Sequence, residues 1–129
     1  MIFTESFVYF KETKNSHCWI FKDNYSRERS NLYIPKWRLP DEIPPCVGVT
    51  IRSKPDLIPE VIITESEVYK NPKRKNNSII VMMEYTDTHT ETVRYDAMKT
   101  NRQIHTLYIP ISFFEANDFP KRIQICIDW

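Results

Sequence analysis

Glycine is almost missing from this chain: Gly48 is the only one in 129 residues, beside nine prolines. That removes every Gly-rich phosphate-cradling loop, and with it the P-loop and dinucleotide-fingerprint functions. Turns that need positive φ fall to Asn and Asp, with Asp23-Asn24, Asn76-Asn77 and Asn101 as the candidates. Cysteine is scarce and irregularly spaced. Cys18, Cys46 and Cys126 form no Cys-x-x-Cys, and no His-x-His accompanies them, so the metal assignment is none. An odd number of cysteines fits free thiols in a reducing compartment. Charge of one sign is lacking too. With 18 basic and 17 acidic residues the net charge is +1, which argues against a dedicated nucleic-acid binder while leaving room for a local basic patch.

Long apolar runs are also absent. Nothing reaches bilayer length, and the opening MIFTESFVYFKETK has no apolar stretch behind a basic start. The expectation is a soluble, cytoplasmic protein with no membrane partner. No window of a dozen residues carries an i, i+3, i+4 stripe, so a long helix is not expected. Single helical turns fit residues 36–39 and 112–116.

What the chain does have is short runs of β-branched and aromatic residues. Strands are predicted over residues 6–11, 17–22, 31–35, 47–52, 61–69, 78–85, 92–95, 105–109 and 122–128. Alternation is clearest at Ile123, Ile125 and Ile127, which puts Gln124 on the opposite, solvent-facing side. Ile125→Asp is then expected to be severe and Gln124→Asp nearly silent.

Leu-Tyr-Ile-Pro occurs twice, at Leu32 and again at Leu107, a spacing of 75 residues. Read backwards at that spacing, Phe10 meets Tyr85, Glu12 meets Asp87 and Thr13 meets Thr88. After a one-residue slip Val47, Val49 and Ile51 meet Ile123, Ile125 and Ile127. The period is too long for a solenoid. The expected fold class is therefore all-β: one domain, a sandwich or partly closed barrel built from two fused, pseudo-twofold-related half-domains. Half A covers about 3–54 and half B 78–129. Between them lie a connecting strand and a basic loop, 55–77.

Chemistry is thinly represented. His17 and Cys18 are adjacent, so on a strand they face opposite ways and cannot form a nucleophile–base pair. Glu65 with Glu67, and Asp87 with His89, are i, i+2 pairs of the kind any solvated strand face produces. No catalytic residue and no cofactor is assigned, and an enzyme is not expected.

The aromatics are more informative. If Leu32, Ile34, Leu107 and Ile109 point inward, Tyr33 and Tyr108 stand outside, open to a partner. With the faces reversed, both become core residues that need hydroxyl partners. Trp37 sits between Lys36 and Arg38, an arrangement suited to stacking on bases or at an interface. The second copy has Ile111-Ser112-Phe113 there, without cations. Candidate partner-binding residues are thus Tyr33, Lys36, Trp37, Arg38 and Tyr108. Lys70, Lys73, Arg74 and Lys75 form a candidate basic patch, whose plainer reading is a solvated connector.

The segments KETKNSHCWIF, LYIPKWRL and PPCVGVTI together resemble a group of short prokaryotic proteins with the pattern KETKNT, an aromatic strand, LYI-x-K-x-x-L and P-x-x-I-x-V-T-I. The resemblance covers about residues 11–51 and implies a small β fold in a prokaryotic cytoplasm, with no activity attached. LYIPKWRL also resembles the V-x-I-P-K-x-[IL]-R core of AbrB-type swapped-hairpin barrels, which implies DNA binding. Ser30-Asn31 departs from that family's Gly-containing turn, and Pro40 cuts short the segment where the family has a helix. The expected function is a non-catalytic interaction module that binds another protein in a prokaryotic or phage cytoplasm. The alternative is a DNA- or RNA-binding regulator using the basic connector and the Lys-Trp-Arg segment.

Overall fold

Among the described residues the short apolar runs become eight strands: β1 (Ile2–Glu12), β2 (Ser16–Phe21), β3 (Ser30–Pro35), β4 (Cys46–Arg52), β5 (Ser78–Thr88), β6 (Thr92–Met98), β7 (Asn101–Pro110) and β8 (Arg122–Asp128). All pairs are antiparallel, and the order β1-β2-β3-β7-β6-β5-β8-β4 closes through β4 and β1 into a barrel. The computed structural model describes residues 1–21, 27–115 and 118–129. The expected turn at Asp23-Asn24, and the ends of predicted segments at Lys22 and Ala116, lie outside these residues. No helix among the described residues is long and apolar enough to cross a membrane.

The barrel is filled rather than hollow. Alternation sends Trp19, Leu32, Ile34, Val49, Ile51, Val93, Tyr95, Leu107, Ile109, Ile123, Ile125 and Ile127 inward, all at most 2% exposed. Closure leaves neither end strand with an unpaired edge, which an open sheet would have to protect.

The same pairing occurs in both halves. Half A runs β3-β2-β1-β4 and half B β7-β6-β5-β8. Tyr9 pairs with Trp19 before a bulge to Lys11, as Tyr85 pairs with Tyr95 before a bulge to Asp87. The Trp19 indole N–H donates to the Pro44 carbonyl at 2.9 Å, and the Tyr95 hydroxyl to the Pro120 carbonyl at 2.6 Å. Equivalent positions in β1 and β2 are therefore 76 residues apart, as Tyr9 and Tyr85 are, one more than the spacing read from the sequence. The spacing is 75 in β3, where Leu32 lies directly opposite Leu107 across the seam. At the other seam Val49 pairs with Ile127 and Ile51 with Ile125, symmetric about Thr50 and Cys126. That is the pattern of a twofold rotation. Pro35 and Pro110, which lack an amide donor, each close their strand.

The connector departs from expectation. Residues 61–69 are not a strand: a short helix α1 (Glu65–Lys70) follows Thr64, whose hydroxyl accepts the Glu67 amide at 3.2 Å and donates to the Glu67 carboxylate. Thr64-x-x-Glu67 has the capping-box pattern, with the carboxylate on the Thr64 hydroxyl, and that local signal outweighs the β-branched run before it. A 3-10 turn, Pro72–Arg74, occupies the basic loop. Ahead of α1 the chain is held by side-chain amides instead of a strand ladder. Gln124 clamps Ile58, accepting its N–H at 2.9 Å and donating to its carbonyl at 2.6 Å. Asn101 and Gln103 both donate to the Val61 carbonyl, at 3.1 and 2.8 Å. Asn101 is thus a buried residue opening β7, not a turn former, and Gln124 is 1% exposed rather than solvent-facing.

Two exchanges in β8 test this arrangement by urea unfolding. Ile125→Asp places an unpaired charge in the core and should cost several kcal/mol (roughly 3–5). Gln124→Leu strands both Ile58 backbone groups and should cost about 1–3 kcal/mol. A silent Gln124 variant would show that the clamp does not hold in solution.

Candidate functional site at the Trp37 end of the barrel

Both β3 and β7 run into a 3-10 turn after their proline: Lys36–Arg38 and Ile111–Phe113. The first is the more unusual, because its three side chains go three ways. Lys36 points to solvent and pairs with Glu12 at 3.0 Å. Trp37 lies half-buried. Arg38 turns inside and is fully buried.

Arg38 therefore corrects the expectation of a surface cation beside Trp37. Its guanidinium donates to the Gln103 side-chain oxygen at 2.7 Å, the Asn76 carbonyl and side-chain oxygens at 2.9 Å each, and the Ser78 carbonyl at 2.6 Å. The Trp129 ring covers it, 5.6 Å from ring centre to guanidinium carbon. These oxygens are all neutral, so donors are satisfied without cancelling the charge. Burial pushes the Arg38 pKa down to about 10, which still leaves it charged at neutral pH. The sequence hid this because a Lys-Trp-Arg triplet reads as three surface residues when the turn that splits them is not known.

The turn is fixed from both sides. The Lys36 amide donates to the Asn15 carbonyl of the β1–β2 turn at 3.0 Å, and α1 rests on its other flank. Two adjoining cavities result. One of about 420 Å³ is lined by Lys14, Asn15, Pro35, Lys36, Trp37, Glu65 and His105. The other, about 250 Å³, is lined by Trp37, Ile63, Thr64, Glu65, Lys99, Thr100, Arg102 and His105. Trp37, Glu65 and His105 belong to both, which makes them the centre of one cleft. His105 is held by Ser16, whose hydroxyl lies 2.8 Å from its Nδ1. Burial, then the nearby Arg102, lower its pKa, and Glu65 opposes weakly. The imidazole is therefore neutral at pH 7.

The basic connector adjoins this end. Lys75 donates to the Leu39 carbonyl at 2.6 Å and Arg74 pairs with Glu67 at 3.2 Å, while Lys70 and Lys73 are exposed. Nine of the chain's 18 Lys and Arg residues belong to the cleft, the turn beside it or the connector, namely Lys14, Lys36, Arg38, Lys70, Lys73, Arg74, Lys75, Lys99 and Arg102, against the carboxylates of Glu12, Glu65 and Glu67, the first and last of which pair with Lys36 and Arg74. A net charge of +1 conceals a basic pole.

Tyr33 and Tyr108 lie elsewhere, on the outer wall beside the β3–β7 seam. Leu32, Ile34, Leu107 and Ile109 all point inward, and both tyrosines are half-buried outside. The Asn31 amide donates to the Tyr33 hydroxyl at 3.2 Å. Tyr108 meets the His89 ring edge-on at 5.5 Å and the Arg94 guanidinium at 5.9 Å. Beneath Tyr33, burial raises the Cys18 pKa, which keeps the thiol protonated. Among the described residues no group of three His, Cys, Asp or Glu side chains stands close enough to hold a metal ion.

Of the residues that line the cleft, the sequence put forward only Lys36 and Trp37 as binding candidates; Glu65 entered as half of a strand-face pair with Glu67, whereas both stand on α1. Lys14 and Lys99 each belong to the tight turn of a hairpin, and a cation at both turns was the available signal. The chain matches no protein-family model, no curated protein and no solved structure.

Arg38→Ala takes this donor from the Gln103 side-chain oxygen and the Asn76 and Ser78 carbonyls, while the Asn76 side-chain oxygen keeps the Ser78 amide at 3.1 Å, and should cost on the order of 3 kcal/mol, measured by urea unfolding. Arg38→Lys should recover little of it, because an ammonium cannot reproduce the planar fork. His105 supplies a pH test. Its folded pKa lies below the ordinary value of 6.5, so as pH falls the unfolded chain takes up the proton first. The stability contributed by neutral His105 is complete above pH 6.5 and is lost as pH drops towards the folded value. His105→Gln should flatten that part of the stability–pH curve.

Proposed function

We propose that the protein is a non-catalytic interaction module and that its interaction site is the basic, Trp37-centred pole. One observation carries the reading: a partly exposed indole lies at the centre of a cleft with cations on both flanks, Lys14 and the Glu12-paired Lys36 on one side and Lys99 and Arg102 on the other. Aromatic rings and cations on a rigid frame are what interaction sites favour. An overall charge near zero favours a protein partner, whereas its concentration at one pole favours an anionic one. The proposed setting is a prokaryotic or phage cytoplasm. It is supported by the resemblance over residues 11–51 and by three unpaired cysteines. We further propose that the two halves descend from one duplicated unit, since they share strand order, bulge position and carbonyl partners.

A protein partner docking on the outer wall is the second reading. It is favoured by the placement of Tyr33 and Tyr108 beside one seam, on the same face.

Tagged protein incubated with a native-host lysate, with and without nuclease, tests both. On the first reading, a Trp37→Ala/Lys99→Gln/Arg102→Gln variant loses the partner that the wild type retains. A Tyr33→Ala/Tyr108→Ala variant keeps it. The reverse outcome moves the site to the outer wall, and nuclease sensitivity reveals whether nucleic acid is involved.

A further inference from the structure

We propose that the Trp37 cleft binds single-stranded nucleic acid, with a base stacked on Trp37 and phosphates on the cationic rims. The inference rests on the pole being the interaction site and identifies what it binds.

The shape of the cleft points to a chain rather than a small molecule. Two adjoining cavities, about 420 and 250 Å³, lie on the two sides of shared residues, and both are open to solvent. Pockets that hold whole small ligands bury most of the ligand surface, which these two open cavities do not. An extended ligand that crosses both cavities uses the geometry fully.

The charges have a matching order. Lys14 stands beside the first cavity, Lys99 and Arg102 beside the second, and Glu65 lies in the shared centre with Trp37 and His105. Phosphates on either side of a nucleoside meet cations at the rims, while the base occupies the centre. There Glu65 repels phosphate and can accept a hydrogen bond from an N–H on the base edge, such as the N3–H of thymine and uracil or an amino N–H of the other bases. An acidic peptide satisfies the rims but brings its carboxylates towards Glu65 and offers no regular ring for the indole. A duplex satisfies the rims too, but its bases are stacked on each other and its ring faces are closed to Trp37. Only a single strand satisfies both parts. Arg38 strengthens the field from behind, since its charge has only neutral oxygens as partners.

The test is fluorescence anisotropy with labelled oligothymidylate and oligouridylate of about 12 nucleotides, and a DNA duplex of equal length, over a range of salt. The wild type should bind either single strand more tightly than the duplex. Its log affinity should fall linearly with log salt, by about 0.7 for each phosphate engaged. Lys14→Gln/Lys99→Gln/Arg102→Gln removes three rim cations and should make that slope shallower by about two. Trp37→Ala should weaken binding at least about fivefold at every salt concentration and leave the slope unchanged. All replaced side chains reach the surface, and equal urea midpoints confirm that the variants fold. Lys54→Gln/Lys121→Gln, away from the cleft, should change nothing. Equal or tighter duplex binding, or a Trp37→Ala variant equal to the wild type, overturns the assignment. A wild type that ignores both oligonucleotides at low salt yet retains a nuclease-resistant, Trp37-dependent partner also overturns it, while leaving the pole as the interaction site. If instead the cleft variant retains every partner of the wild type, the pole itself is excluded.

Discussion

The buried cation Arg38 organises this end of the barrel. Arg38 joins elements distant in sequence: the turn after β3, the connector at Asn76, the start of β5 at Ser78, β7 through Gln103, and the C-terminal Trp129. Taking a guanidinium out of water is costly, and neutral acceptors repay that cost only if the fork is filled. The geometry is consequently strict. Once Arg38 is seated, Lys36 and Trp37 cannot follow it inside, and the turn presents them outward. The exposure of Trp37 is thus a consequence of the burial of its neighbour.

Around that anchor the barrel uses polar side chains where an ordinary sheet would use another strand. Gln103 receives Arg38 and donates to Val61, and Asn101 and Gln124 hold the rest of the connector. These amides are buried and have partners at both ends, the condition under which buried polar groups stabilise rather than penalise. The connector can then lie across the barrel wall without pairing as a strand, which leaves β1 to β8 free to close. It ends in α1, whose Glu65 completes the cleft.

The sequence made some of this legible and hid the rest, for physical reasons. Period-two alternation and turn residues are local, so the strands and the inward set Leu32, Ile34, Leu107 and Ile109 could be read directly. The repeated Leu-Tyr-Ile-Pro pointed to two like halves because Leu32 and Leu107 face each other across the seam. The bulges and seams depend on pairing between distant strands, so the spacing of 76 in β1 and β2 was missed. Gln124 looked solvent-facing because alternation assigns a face but does not reveal what covers it. The cleft was least visible, since its parts come from the β1–β2 turn, β3, α1 and the β6–β7 turn, and only the closed barrel brings them together.

The two halves share a frame but not an occupant. Where half A places Lys36, Trp37 and Arg38, half B places Ile111, Ser112 and Phe113, and Phe113 packs on Phe3 at 3.9 Å and on Phe21 at 5.7 Å between ring centres. A twofold frame exchanges its two ends, so identical halves would present identical clefts. Here one end carries cations and the other an aromatic cap, which gives the molecule a direction. The consequence is one of stoichiometry and heading: a ligand of the cleft finds one berth per chain, and a strand laid across it meets the barrel in a defined orientation.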